Sequence, residues 1–195
     1  MDADPDIQLV KLCQSGDISA FEELVCKYKD RIYRLAYKML GGADDVDDVA
    51  QEIFLKAYRG IKKFRLQSSF STWLVQIAVN YCISHLKSQR KFKSLSLNVI
   101  SKRSSAETQA IAERNEKREK VYQAINSLPL KRRAVIVLHY FEDYTCEEIA
   151  DVLNCSVGTV KSRLFYARKD LKDRLEPYLK GDTEIGGEDY EMFKM

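Results

Sequence analysis

The sequence predicts an all-α protein of two small helical domains joined by a flexible linker. Apolar residues recur at the spacing of an amphipathic helix in two long regions, and this spacing fails between them. The 195 residues also include only three prolines and eight glycines, which favours long helices over a β-sandwich. These observations predict a first domain at residues 1–90, a linker at 91–118, a second domain at 119–179 and an acidic C-terminal tail at 180–195.

The first domain is predicted from three apolar stripes, each long enough for one helix of a bundle. Ser19 and Glu22 are expected to form a capping box ahead of the first stripe, and Gly41 and Gly42 are expected to end that helix. The stripes comprise, in chain order, Phe21, Leu24, Val25, Tyr28, Ile32, Leu35, Ala36 and Met39; Val46, Val49, Ala50, Ile53, Phe54, Ala57, Tyr58 and Ile61; and Phe70, Trp73, Leu74, Ile77, Ala78, Tyr81, Cys82 and Leu86.

The composition argues against several classes of protein. The net charge of +3 is too small to require a nucleic-acid partner, and no stretch approaches the roughly 20 apolar residues of a membrane span. The five cysteines include no CxxC pair and only two histidines accompany them, so no metal site is predicted. Neither a signal peptide nor a nucleophile–base set or glycine-rich phosphate loop is recognisable. We therefore expect a cytoplasmic, non-enzymatic protein without cofactor, small-molecule substrate or direct membrane insertion.

The second domain contains a helix-turn-helix pattern in the stretch TCEEIADVLNCSVGTVKSRLFYARKDL, residues 145–171. Thr145 and Glu148 are spaced as a capping box for the first helix, and Ser156 is placed to cap the second. Asn154 tolerates the left-handed conformation that a tight turn requires. Two short helices joined in this way set the second helix into the major groove of DNA.

The predicted outward face of this second helix is basic. Between residues 156 and 174 there are six basic residues and two acidic ones. Such a charge suits phosphate neutralisation together with contacts to base edges. An ordinary helical hairpin with a solvated basic face is the alternative. The residues predicted to contact DNA are Ser156, Thr159, Lys161, Ser162, Arg163, Phe165, Tyr166 and Arg168.

An acidic cluster, GADDVDDVAQE, opens the helix of the second stripe. Acidic residues at a helix N-terminus complement the helix dipole, which is the purely structural interpretation. Asp48, Gln51, Glu52 and Leu55, however, lie opposite the apolar stripe and form a mixed acidic and apolar surface. A surface of this kind suits a basic protein partner.

The stretch FSTWLVQIAVNYCISHLKSQRKFK, residues 70–93, combines an apolar stripe with a polar face. Trp73 and Tyr81 belong to the stripe and are expected to pack the bundle. The amides and hydroxyls of the polar face suit base edges, and its lysines suit a phosphate backbone. This face comprises Gln76, Asn80, Ser84, Lys87 and Lys91.

Taken together, these stretches resemble the sigma-70 family of bacterial transcription initiation factors, in particular its two-domain extracytoplasmic-function (ECF) branch. In the first domain the resemblance is carried by GDISAFEELVCKYKDRIYRLAYKML, DDVDDVAQEIFLKAYRGIKKFR and FSTWLVQIAVNYCISHLKSQRK. In the second it is carried by INSLPLKRRAVIVLHYFEDYTCEEIADVLNCSVGTVKSRLFYARKDLK. It covers about residues 8–178 and implies that the two domains are sigma region 2 and sigma region 4. The middle domain of larger sigma factors is replaced by the linker.

The resemblance implies that the partners are core RNA polymerase, through the clamp helices of its β′ subunit and its β flap, and promoter DNA. The residues at the positions that dock on the clamp helices are Asp45, Asp48, Gln51, Glu52 and Leu55. Those at the positions that capture the −10 element as a single strand are Gln76, Asn80, Ser84, Lys87, Arg90 and Lys91. The −35 element would be read by Lys161, Ser162, Arg163, Phe165 and Tyr166, with Thr159 and Arg168 on phosphates.

The resemblance implies control by an anti-sigma factor, in a stress or envelope response. The tail GDTEIGGEDYEMFKM, residues 181–195, holds five acidic residues and one lysine. Its composition favours a disordered, solubilising segment, and by charge alone it is also a candidate mask for the basic helix. The alternative function is a helix-turn-helix activator or repressor that binds duplex DNA without polymerase.

Overall fold

The structure is a computed structural model that describes residues 6–42, 45–95 and 119–179. For residues 91–95 and 177–179 it describes the backbone only. Within these ranges the chain forms eight helices and no strand, which confirms the predicted all-α class. The chain divides into two compact units, with the main division after Ser84. The linker and acidic tail lie largely or wholly outside the described residues, and the exact domain boundaries stay a prediction. No helix in the described ranges is long and apolar enough to cross a membrane.

Four helices belong to the first predicted domain. They are α1 (Ile7–Ser15), α2 (Ile18–Leu40), α3 (Val46–Ile61) and α4 (Phe70–Leu95). The predicted stripes face one another because each helix buries a single apolar side. Fully buried members include Leu24, Ile32, Leu35, Met39, Ile53, Ile61, Phe70 and Leu74.

The start of α2 differs from the sequence prediction. Asp17, and not Ser19, is the N-cap: its carboxylate accepts hydrogen bonds from the Ser19 amide at 2.9 Å and the Ala20 amide at 3.3 Å. The expected Ser19–Glu22 capping box is therefore wrong, because the residue two positions earlier already supplies the acceptor. The predicted end of α2 is confirmed, since Gly41 has a φ of 80° and Gly42 a φ of 74°, both left-handed.

Polar contacts between helices fix the position of α4 and the approach to it. Gln14 on α1 donates from Nε2 to the carbonyls of Ile61, at 3.0 Å, and Phe64, at 2.8 Å. Arg31 on α2 donates from Nη1 to Ser71 Oγ at 2.6 Å, which ties α2 to the first turn of α4. These bonds satisfy backbone carbonyls at the end of α3 and hold the loop that leads into α4.

One member of the predicted stripes lies at the edge of the core. Tyr58 was expected to be buried but is 44% exposed, and its ring meets Phe21 edge-on with centroids 5.0 Å apart. An apolar stripe more than 100° wide has members at its borders that a helical period cannot distinguish from central ones.

The second unit contains α5 (residues 119–127), α6 (Leu130–Phe141), α7 (Cys146–Leu153) and α8 (Val157–Leu179). Pro129 stands immediately before α6, where it separates this helix from α5. Helix α6 is buried along most of its length and forms the centre on which α8 packs. Arg133 is also buried within α6, and it donates to the carbonyl oxygen of Asn126. Burial lowers the pKa of this guanidinium to about 10.

Candidate DNA-binding and partner-binding surfaces

The turn between α7 and α8 has the local geometry that the sequence predicts. Thr145 and Glu148 form a reciprocal capping box, with the Thr145 amide 2.8 Å from Glu148 Oε2 and the Glu148 amide 3.2 Å from Thr145 Oγ1. Asn154 adopts a φ of 46°, in the left-handed region. Ser156 Oγ then accepts the Thr159 amide at 3.2 Å and so caps α8. These contacts start α8 at Val157 and define the helix-turn-helix.

The packing of α8 decides which of its residues face outward. Val160, Leu164, Ala167 and Leu171 are buried against the rest of the unit. Because these residues form one side of the helix, the opposite side is presented to solvent. Four predicted DNA contacts lie fully on that side, namely Lys161, Ser162, Phe165 and Tyr166.

The other four predicted DNA contacts also have partners within the protein. The Ser156 and Thr159 hydroxyls lie 2.9 Å apart, within the cap of α8. Arg163 is only half exposed, and its Nη1 lies 3.6 Å from the sulfur of Cys155. Arg168 donates from Nε to the Tyr140 hydroxyl at 2.6 Å. These residues therefore shape the helix-turn-helix in addition to any contact they make with DNA.

Two residues that the sequence analysis did not single out also join α6 to α8. Arg132 donates from Nη1 to Asp170 Oδ2 at 2.6 Å, and its guanidinium carbon lies 5.2 Å from the centroid of the Tyr166 ring. Tyr166 and Asp170 are four residues apart and therefore lie on the same face of α8, so the sequence indicated that one side chain could contact both. That the neighbour is Arg132, 38 residues away from Asp170, required the packing of α6 on α8.

The second surface is the exposed side of α4. Asn80, Ser84, Lys87 and Arg90 are exposed, whereas Gln76 is half buried. The backbone of Lys91 continues the helix, and its side chain lies outside the described residues. The opposite side of α4 is buried; its core residues are Leu74, Val75, Ala78, Val79 and Cys82.

An aromatic cluster supports the beginning of α4. The Trp73 ring stacks on Phe64 with centroids 4.7 Å apart at 23°, and it meets Phe70 at 5.8 Å. The predicted packing role of Trp73 is therefore confirmed, although its ring keeps partial exposure. The cluster fixes the first turn of α4 and with it the direction of the polar face.

The third surface lies on α3. Asp48 and Gln51 are exposed and Leu55 is 44% exposed, whereas Asp45 and Glu52 are half buried. The carboxylates of Glu52 and Asp45 are near enough to Tyr81 on α4 to influence its ionisation. Burial chiefly raises the pKa of Tyr81 above its ordinary 10.0, and the negative charge of Glu52 raises it further. The five residues thus form a surface whose acidic part reaches the border with α4.

In the described ranges no group of three or more His, Cys, Asp or Glu side chains is arranged to hold a metal ion. These surfaces offer groups for recognition: a basic helix with two exposed aromatic rings, a polar helix face, and an acidic and apolar patch. A capped helix-turn-helix together with a separate helical bundle defines a modular DNA-binding protein.

Comparison with known proteins identifies the family. The family model described as "Sigma-70 region 2" matches residues 24–92, and the model described as "Sigma-70, region 4" matches residues 118–171. The ECF RNA polymerase sigma factor SigW of Bacillus subtilis is 36% identical over 176 residues, which cover 85% of this chain and 94% of that protein. The RNA polymerase sigma-H factor of Pseudomonas aeruginosa is 37% identical over 185 residues, with 90% and 96% covered. The chain belongs to the sigma-70 family, in its ECF branch.

Solved structures give the same fold. CnrH, in complex with the cytosolic domain of CnrY, has a TM-score of 0.65 at 26% identity, with 91% of this chain and 99% of that chain covered. The sigma factor RpoE of Bartonella quintana, in complex with the anti-sigma factor NepR, has a TM-score of 0.63 at 21% identity, with 85% and 100% covered.

Sigma factors are DNA-recognition subunits of RNA polymerase and not enzymes. The protein is therefore an alternative sigma factor that directs promoter-specific initiation, and the alternative of a polymerase-independent activator or repressor is not favoured.

Proposed function

We propose that the outward side of α8 reads the −35 element in the major groove. The observation that carries this proposal is the division of α8 into a buried side and an exposed side that bears Lys161, Ser162, Phe165 and Tyr166. Lys161 supplies positive charge, Ser162 a hydroxyl, and the two rings apolar surface for thymine methyl groups. Ser156 and Thr159 contribute from the cap and first turn of α8, Arg163 from its half-exposed flank, and Arg168 from the border of the exposed side.

The exposed side of α4 captures the opened −10 strand in this proposal. Asn80 has an amide that can donate to and accept from a base edge, and Gln76 and Ser84 lie one turn before and after it. Lys87, Arg90 and Lys91 follow the phosphate backbone. Unstacking a base step costs about a few kcal/mol, which contacts of this kind offset.

Core polymerase binds the acidic and apolar surface of α3. Asp48, Gln51 and Leu55 supply its exposed part, and Asp45 and Glu52 its half-buried part. An exposed leucine among carboxylates suits a basic partner surface with an apolar centre. We place the β′ clamp helices on this surface and the β flap on the second domain. Because core RNA polymerase is the partner, the protein acts in the cytoplasm.

An anti-sigma factor regulates the protein in this proposal. The supporting observations are that the chain belongs to the ECF branch and that a sigma factor of the same fold, RpoE of Bartonella quintana, has been solved with the anti-sigma factor NepR. The stress or envelope signal that releases the factor is part of the same proposal. Co-purification of this chain with a stoichiometric inhibitor of transcription tests it.

Run-off transcription with core polymerase and a library of promoters tests the assignment of the three surfaces. Lys161→Ala with Ser162→Ala should change the preferred −35 sequence and leave core binding intact. Asp48→Ala with Glu52→Ala should weaken core binding and leave the preferred sequence unchanged. Asn80→Ala should reduce opening of the −10 region while closed complexes still form. Mixed phenotypes, in which every variant impairs every step, would overturn this division.

A further inference from the structure

The ring of Tyr166 is held between two neighbours on the exposed side of α8. Its edge contact with Phe165 has centroids 5.4 Å apart at 79°, and the guanidinium carbon of Arg132 lies 5.2 Å from its centroid. Tyr166 is nevertheless 49% exposed. A side chain that is half open to solvent but flanked on two sides has fewer orientations available than a free one.

Arg132 reaches this ring from a different helix, and Asp170 holds it there. Arg132 lies in the first turn of α6, and its Nη1 donates to Asp170 Oδ2 at 2.6 Å. Asp170 stands one helical turn after Tyr166, so one planar guanidinium spans both residues. An arginine can donate to a carboxylate and stack on a ring at once because its charge is delocalised over a plane, whereas a lysine presents a point charge.

We propose that Arg132 is a positioning residue for promoter recognition, which holds the Tyr166 ring in the orientation presented to −35 DNA. Asp170 fixes Arg132 and offsets its charge, so that a DNA phosphate competes poorly for the guanidinium. This inference rests on the proposed role of α8 in −35 recognition. It makes base preference depend on a residue of α6, outside the recognition helix.

The competing explanation is that Arg132 is one more cation near DNA. A cation that neutralises a phosphate contributes affinity without sequence preference, so its removal weakens all promoters alike. Loss of a positioning residue changes the relative use of different sequences at the base pairs that Tyr166 contacts. The two explanations therefore differ in base preference and not in total activity.

The experiment uses the full chain bound to core polymerase on promoters randomised in the −35 element, with run-off transcripts counted by sequencing. Arg132→Ala is compared with Tyr166→Ala, with the double variant, and with Lys131→Ala as the matched control. Lys131 is exposed and adjacent in sequence, so its removal changes charge equally. Arg132→Ala should lower the preference for the favoured −35 bases over the others about two- to fivefold, and it should do so at the same base pairs as Tyr166→Ala.

The double variant should be no worse than Tyr166→Ala alone, because Arg132 acts through that ring. Arg132→Lys should restore only part of the preference, and Asp170→Asn should lower it without removing a positive charge. The thermal midpoint of each variant tests folding, and Asp170→Asn serves if Arg132→Ala unfolds. The inference is overturned if Arg132→Ala lowers all transcripts uniformly, as Lys131→Ala does. A wild-type protein with no −35 preference would overturn the proposed function itself.

Discussion

Arg168 on α8 donates a hydrogen bond of 2.6 Å to the hydroxyl of Tyr140 on α6, and its guanidinium carbon lies 5.6 Å from the centroid of the same ring. Tyr140 is only 5% exposed, so its hydroxyl meets the arginine at the border of the core. Here the donor is on α8 and the acceptor on α6, whereas Arg132 on α6 donates to Asp170 on α8. Together the two contacts attach α8 to α6 at two points.

Removal of the Tyr140 hydroxyl should therefore loosen this attachment. Tyr140→Phe deletes the acceptor and leaves the ring, and we expect the free energy of unfolding to fall by about 1 kcal/mol, less than the roughly 1.5–3 kcal/mol of bonds to charged groups, because Arg168 is exposed. Urea denaturation measures this change. Tyr166→Phe is the control, since it removes a hydroxyl from a half-exposed ring, and it should shift the midpoint by less. Equal shifts of the denaturation midpoint in the two variants would show that the hydrogen bond to Arg168 does not add to stability.

Gly60 on α3 leaves room for the ring of Trp73 on α4. A Cβ at this position would lie 3.2 Å from Cζ2 of Trp73, a ring already stacked on Phe64. Gly60→Ala should fail to gain the roughly 1 kcal/mol that alanine adds in a helix, because the ring must shift. The single tryptophan of the chain reports this shift as a change in emission.

The matched control for Gly60 is Gly158 in the first turn of α8. A Cβ there would meet only Ser156 Oγ, at 3.9 Å. Gly158→Ala should raise the free energy of unfolding by up to about 1 kcal/mol. A comparable gain for Gly60→Ala, with unchanged tryptophan emission, would contradict the close packing inferred for Trp73.

The cap of α2 should make stability depend on pH. Hydrogen bonds from the Ser19 side chain and the Ala20 amide hold the pKa of Asp17 below its ordinary 3.8. A lowered folded-state pKa gives a contribution that is present above the unfolded-state pKa and is lost as pH falls through the folded value. Asp17→Asn keeps a capping oxygen but not the charge, so it should be less stable than wild type at about pH 7 and similar at about pH 2. A stability gap that does not change with pH would exclude this explanation.

The cysteines should differ in reactivity. Burial raises the pKa of Cys82 to about 12, whereas Cys26 is exposed. Because the thiolate is the reactive form, iodoacetamide at about pH 8 should modify Cys26 and spare Cys82 until the protein is unfolded. Peptide mass spectrometry after brief alkylation, with and without guanidinium, separates the two. Rapid modification of Cys82 in the folded protein would contradict its placement in the core.

The sequence was sufficient for the features that depend on neighbours along the chain. The Thr145–Glu148 box, the left-handed Asn154 and the Ser156 cap are formed by residues within a few positions of one another, so composition and spacing specify them. The centres of the apolar stripes were specified in the same way, because helical periodicity assigns a residue to a face, but border positions such as Tyr58 were not. Asp17 is the exception, since the spacing of Ser19 and Glu22 predicted a capping box although Asp17, two positions before Ser19, supplies the cap.

Which distant side chains meet depends on how the helices pack against one another. Nothing near Asp6 in the sequence predicts a core position, yet it is buried and pairs with Lys27 and Tyr28 on α2. Arg168 looked like a surface cation, yet Tyr140, 28 positions away, accepts its hydrogen bond. Helical periodicity assigns each of these residues to a face, but the partner on that face depends on how the helices cross. Those crossings follow from the packing of whole side-chain surfaces, which no local pattern encodes.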